Sequence, residues 1–336
     1  MKKALFVMLS LLLVSGFGLR NSVQQFLQQP LLLKGPYLEI KSGSSLRQLC
    51  AEWQQQELLS NSDCQLLKVL SIFKPELRDI KAGVYAVAPQ SLQTQLALFR
   101  SGKVAQFNLI LREGWTLKQN LQSLANAPFL INDLNDDAKV SALWQWPQAW
   151  GKQPVNGEGL ILPETYFYTA NTKASTILKR AHQALLTAVD GAWQQRNKDL
   201  PLLSPYELLI LASIVEKETG YLPEKPLISS VFINRLRQGM RLQTDPTVIY
   251  GLGDRYQGDI TRAHLRDPHL YNTYVHAGLP PGPIALVSKT SLQAAAQPEF
   301  SDKLFFVAKG DGSHQFSANL QQHNQAVQQY IFGKKP

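Results

Sequence analysis

At 336 residues, 44% hydrophobic and 18% charged, the chain can bury a sizeable core, and its composition excludes a disordered protein. A formal charge of +9 asks for an anionic partner or surface, but no basic run or RNA-binding fingerprint occurs, which sets nucleic acid aside. Cys50 and Cys64, fourteen residues apart, could form one disulfide in an oxidising compartment or lie as two separately buried thiols.

The first twenty residues, MKKALFVMLSLLLVSGFGLR, set Lys2 and Lys3 before sixteen uncharged, mostly apolar residues, Ala4 to Leu19, closed by Arg20. As a helix this run spans ~24 Å, slightly short of the ~30 Å hydrocarbon core, so flanking lysines would snorkel. A retained membrane anchor over 1–20 is expected; the alternative is a cleaved signal peptide, with Gly16 and Gly18 before the cut. Either way the positive end stays inside and residues 21–336 lie beyond the inner membrane. The abundant polyanions there are phospholipid head groups and the cell-wall polymer.

Residues 21–36 are Gln-rich, end in Gly35-Pro36 and read as a tether. Residues 37–104 open with a short strand, YLEI, followed by a helix with a Ser45–Gln48 capping box. A second helix from about Ser62 to Ile72 and a strand, KAGVYAV, complete a βααβ order that resembles a LysM-like module, a small fold that often grips N-acetylated glycans. Residues 105–172 hold a strand broken by Arg112-Glu113-Gly114, then loops rich in Trp, Pro and Asn whose aromatic faces would suit sugar rings. From 173 the chain turns helical, and His182, on an apolar helix side, reads as a packing residue.

The stretch LASIVEKETG, Leu211 to Gly220, ends a helix that starts at Ser204-Pro205, with Glu207 completing S-x-x-E and Gly220 expected as a left-handed stop. Glu216 and Glu218 face the negative end of the helix dipole, and apolar neighbours raise a carboxyl pKa further, as a general acid near neutral pH requires. The two lie ~200° apart around the helix. Glu218 continues the apolar line Leu211, Ile214, Val215 and is favoured as the acid; Glu216 continues a smaller, more polar line and is expected to be structural or supporting.

Downstream, Gln243, Thr244 and Asp245 stand in a loop after a helix ending at Gly239, and Tyr271, Asn272, Thr273 and Tyr274 form a sugar-binding composition. The stiff GLPPGPI segment, 278–284, is expected to wall the site. The blocks SIVEKET, VFINRL, MRLQTDPTVIYG, YNTY, GLPPGPI, FFVAKGDGSHQFSANLQQHN and PETY, in this order apart from the upstream PETY, resemble the endolytic murein transglycosylase, or YceG-like, family over most of 36–330.

The resemblance implies an α+β chain with an N-terminal membrane anchor, a LysM-like module and a helix-rich catalytic domain at 173–336. It implies a lyase that cleaves the MurNAc–GlcNAc β-1,4 bond within peptidoglycan glycan strands without water, leaving 1,6-anhydro ends. Glu218 is then acid and base in turn, with Glu164, Tyr166, Gln243, Thr244, Asp245, Tyr271, Asn272, Thr273 and Tyr274 around the substrate. No cofactor or metal is expected, since His264/His269 and His314/His323 lack metal-site spacing. The expected location is the inner membrane, single-pass, with the catalytic part in the periplasm, in the company of peptidoglycan synthases. The alternatives are a hydrolase using Asp245 or Glu164 as second carboxylate, and a non-catalytic peptidoglycan-binding scaffold.

Overall fold

The computed structural model describes residues 2–151, 154 and 156–333, with side chains from residue 15 onward. The chain divides into two compact units, Met1–Phe107 and Asn108–Pro336.

The first unit opens with helix α1 (Lys2–Gln28). The expected anchor falls largely on residues whose side chains lie outside the described set; among the described residues no helix is long and apolar enough to cross a membrane. The expected tether is corrected over its first half. Residues 21–28 continue α1, because Phe26 and Leu27 bury into the unit's core together with Leu31. Strand β1 (Pro30–Leu31) then pairs antiparallel with β4 (Gln90–Ser91).

Between these strands run β2 (Tyr37–Ile40), α2 (Leu46–Gln55), α3 (Asn61–Phe73) and β3 (Gly83–Ala86), with Tyr37 opposite Ala86 in an antiparallel pair. The Ser45–Gln48 capping box forms as its sequence dictates. The second helix starts at Asn61, one residue earlier than expected, and is capped by Ser60, whose reciprocal partner is Asp63. Helix α4 (Leu92–Ser101) closes a core around Trp53, Tyr85 and Phe99. Both cysteines are free and buried there, Cys64 Sγ donating to the Cys50 carbonyl at 3.4 Å. Burial pushes the Cys50 thiol up to about 12.

The second unit begins within β5 (Gln106–Ile110), which pairs with β6 (Thr165–Thr169), and includes the short helices α5 (Leu117–Ala125) and α6 (Asp137–Ser141). The Trp-rich loops between them turn inward. Trp150 is fully buried and donates to Asp190 Oδ1, and the half-buried Trp144 and Trp146 pack on the same core, so these rings serve packing. His182, on α7 (Ala174–Gln194), is a satisfied core residue: Nδ1 donates to the Leu160 carbonyl at 2.7 Å and Nε2 accepts from the Gln145 N–H at 3.0 Å.

Helix α8 (Pro205–Glu218) is apolar on every side and accordingly forms the centre, packed by α7, α9 (Lys225–Arg237) and α11 (Lys289–Ala296). Ser204 caps its start, but the Glu207 carboxylate accepts from Leu203 N–H, one residue before the expected capping-box partner. The expected left-handed stop at Gly220 does not occur. Thr219 leaves the helix in an extended conformation (φ −144°), its hydroxyl accepts from Tyr221 N–H, and Pro223 prevents resumption. Helix α10 (Asp245–Leu252), hairpin β7 (Phe305–Ala308)–β8 (His314–Ser317) and α12 (Leu320–Tyr330) complete the unit.

Candidate active site

Glu218 is the last residue of α8, where unpaired helix carbonyls disfavour a negative side chain. It is half-buried, and its Oε1 accepts a hydrogen bond from the Thr244 hydroxyl. Burial is the main cause that pushes its carboxyl up to about 7; the Thr244 bond pulls the other way, and the Asp245 charge raises it further. A carboxyl that exchanges its proton near neutrality is the reagent general acid–base chemistry needs.

The surroundings of Thr244 are built by hydroxyls and amides. Its N–H donates to Thr273 Oγ1 at 3.1 Å, and Thr247 Oγ1 donates to the Thr244 carbonyl at 2.7 Å. Gln243 holds the preceding turn with φ +50°, unusual for a residue with a Cβ, and its N–H is fixed on the Thr273 carbonyl. Asp245 accepts from the Tyr274 hydroxyl at 2.6 Å. Buried Asn272 secures that loop from beneath, donating to the carbonyls of Asp267 and His264 and accepting from Tyr274 N–H.

Glu218, Gln243, Thr244, Asp245 and Tyr274 line one cavity of about 380 Å³. Asn272 and Thr273 support it. The structure does not bring Glu164, Tyr166 or Tyr271 to it. Glu164 forms an exposed ion pair with Lys289, the Tyr166 hydroxyl donates to the Leu162 carbonyl, and the Tyr271 ring packs 4.8 Å from that of Tyr250. The GLPPGPI segment is corrected likewise: Gly278 to Pro281 line a separate, larger cleft of about 1040 Å³ beside Tyr206 and Leu203. That cleft is the roomier of the two, but its carboxylate, Glu207, is engaged at a helix start.

The opposite wall of the Glu218 cavity comes from residues that sequence reasoning left without a role. Phe305, Phe306, Leu320 and His323 supply it, with Arg235 beneath. Arg235 is buried, donates to the carbonyls of Leu304 and Leu242 at 2.7 Å each, and lies under the Phe305 ring. The His323 ring stacks on that of Phe305, with centroids 5.1 Å apart. These residues lie within the VFINRL and FFVAKGDGSHQFSANLQQHN blocks, whose length was the signal; nothing in their types marks them as cavity walls.

Glu216 sits in a different environment. Its Oε1 pairs with Lys225 Nζ at 3.2 Å, with side-chain exposures of 6% and 2%, and its Oε2 accepts from the N–H and hydroxyl of Ser288. Burial works to raise its pKa, but the Ser288 and Ser291 hydroxyls, the Ser288 N–H and the Lys225 charge outweigh it and hold the carboxyl below its usual value. Glu216 is therefore a fixed anion joining α8, α9 and the start of α11. A third buried acid, Glu158, is pushed up to about 7 by burial against hydrogen bonds from Leu117, Gly159 and Tyr250; no residue pattern announced it.

Comparisons with known proteins bear on the family of the chain. Over 184 residues, 54% of this chain and 50% of the relative, it is 36% identical to a Bacillus subtilis (strain 168) protein named endolytic murein transglycosylase. A Streptococcus pneumoniae (serotype 2, strain D39) protein of the same name is 27% identical over 289 residues, 76% of this chain and 52% of the relative. The chain thus spans about half the length of the curated relatives it matches. The crystal structure of a yceG-like protein from Listeria monocytogenes superposes with a TM-score of 0.55 at 28% identity, covering 86% of this chain and 97% of that one. The sequence profile of the YceG-like family matches residues 38–329, and the chain belongs to that family.

Proposed function

We propose that the chain is an endolytic lytic transglycosylase of peptidoglycan, a lyase that cuts the MurNAc–GlcNAc β-1,4 bond with Glu218 as the single acid and base. The observation that carries the reading is the Glu218 carboxyl, raised to about 7, which lines a cavity and is held by a neutral hydroxyl. The names of the Bacillus and Streptococcus relatives support the substrate.

In the first step the protonated carboxyl gives its proton to the glycosidic oxygen, and the C1–O bond breaks with the electron pair leaving on that oxygen. Glu218, now anionic, takes the proton of the muramoyl C6 hydroxyl, whose oxygen closes on C1. The acid is restored and no water is consumed. The substrate's own N-acetyl group is available to shield the cationic centre, so a second carboxylate is unnecessary.

Asp245 favours a second reading, because it lines the same cavity and a hydrolase requires a second carboxylate there. Its Oδ1 is engaged by Tyr274, which suits a loop-fixing role better than a nucleophile. Digestion of purified glycan strands in heavy-oxygen water separates the two. Unlabelled 1,6-anhydro ends are expected; stoichiometric label at new reducing ends would leave a muramidase.

Residues 37–104 enter the same proposal as a LysM-like, glycan-gripping module, supported by the order β2-α2-α3-β3 and the antiparallel β2–β3 pair. Residues 1–20 enter it as an anchor holding the chain at the inner membrane, with the remainder in the periplasm beside peptidoglycan synthases. The sequence alone supports that location.

A further inference from the structure

Glu158 takes no part in the steps above, yet it is one of few buried acids in the second unit. Its Oε1 accepts from the N–H of Leu117, the first residue of α5, at 2.9 Å and from Gly159 N–H at 3.2 Å. Its Oε2 lies 3.5 Å from the Tyr250 hydroxyl. Tyr250 is on α10, and Tyr271 packs against it from the loop that follows. Gly282 lets this cluster close: a Cβ there would fall 2.8 Å from the Tyr271 hydroxyl and 3.0 Å from that of Tyr206.

Helix α10 and the 269–276 loop are therefore fastened at two ends. At one end Thr244, Asp245, Thr273 and Tyr274 surround Glu218 through the bonds already described. At the other, Tyr250, with the Tyr271 ring packed against it, meets Glu158. Asp245 and Tyr250 are five residues apart on one helix, ~7.5 Å along its axis, so displacement of one end is carried to the other.

We propose that Glu158 is a positioning residue for Glu218, fixing the far end of the helix whose near end places Thr244 and Asp245 against the working acid. A neutral side chain serves here, since burial keeps Glu158 largely protonated below about pH 7. Glutamine reproduces it: the carbonyl still accepts from Leu117 and Gly159, and the amide donates toward Tyr250. Alanine removes all three contacts.

The inference rests on Glu218 being the working acid, so the test reads Glu218 both with and without turnover. Full-length protein is compared with its Glu158→Ala, Glu158→Gln and Tyr250→Phe variants by kinetics on glycan strands. The Glu218 carboxyl is titrated in each by NMR, assigned by its loss in Glu218→Gln. In Glu158→Ala, kcat should fall about 100-fold with KM within about 3-fold, as expected for a displaced reacting group. The Glu218 midpoint should drop by about one unit as water reaches it. Glu158→Gln should restore both to within about 3-fold and about 0.3 units, because it keeps the positioning contacts. If Glu158→Ala fails to fold, Tyr250→Phe decides, with kcat lowered about 5-fold and the midpoint moved the same way, for loss of one hydrogen bond.

Native kcat and native Glu218 midpoint in folded Glu158→Ala would overturn the proposal, as would the same result in Tyr250→Phe when the alanine variant is unfolded. Equal loss in the glutamine and alanine variants would also overturn it, by making the Glu158 proton itself a reactant. Should native protein cleave no glycan, the assigned activity fails, while the midpoint shifts still judge the positioning.

Discussion

Glutamine at 216 and glutamine at 218 should change stability in opposite directions. Glu216→Gln leaves Lys225, 2% exposed, without its counter-charge. Breaking a buried pair from one side costs about 3–5 kcal/mol. At ~2–4 °C per kcal/mol for a unit of this size, the melting temperature should fall by roughly 10 °C. Glu218→Gln removes a carboxyl whose pKa is raised from 4.5 to about 7 in the folded state. Such a group favours folding fully below pH 4.5, and that contribution is lost as pH rises through 7, a ceiling of about 3 kcal/mol. Solvent at the half-buried carboxyl reduces this to roughly 1–2 kcal/mol gained by glutamine at pH 8. Thermal unfolding at pH 8 and pH 5 measures both: the Glu218→Gln gain shrinks on acidification, whereas the Glu216→Gln loss remains. In activity the order reverses, since folded Glu216→Gln should turn over substrate at 20 °C and Glu218→Gln should not. Equal melting shifts for the two variants, or an inactive but fully folded Glu216→Gln, would refute the division between fixed anion and working acid.

Three further outcomes follow from the same geometry. The kcat/KM for glycan cleavage should fall tenfold per pH unit above about 7, because Glu218 must carry a proton to start the reaction; a flat profile from pH 6 to 9 would contradict this. Arg235→Leu strands the carbonyls of Leu304 and Leu242 and removes the support under Phe305, so unfolding free energy should drop by about 2–4 kcal/mol in a denaturant titration. Cys50, buried with its thiol raised to about 12, should resist alkylation at pH 8 in native protein and react only on unfolding, read by intact mass.

The legible parts of this chain were those governed by local rules. Ser45 and Gln48 announce their capping box because both partners lie within one turn, and the apolar run of α8 announces its burial because no side of it is polar. Glu218 could be told apart from Glu216 because their positions on that helix fix the different faces they present. The cavity wall at Phe305, Leu320 and His323 could not be read, since it depends on a hairpin folding back across nearly ninety residues. Tyr271 and Tyr274 show the same limit within one tetrapeptide: both are ring-and-hydroxyl residues, yet one meets Tyr250 and the other meets Asp245. Glu164 looked like a motif carboxylate, but just ahead of β6 it pairs with Lys289 and faces solvent.

The far wall of the Glu218 cavity also sets an order of events during biosynthesis. The acid leaves the ribosome well before Phe305 and His323, and at ~5–20 residues per second the interval is roughly 5–20 seconds. Through that interval the emerging chain holds the reactive carboxyl without the surface that encloses it. A nascent chain, or one clipped ahead of the β7–β8 hairpin, therefore carries Glu218 in a cavity open on one side, and the chamber is complete only once the last segment has seated.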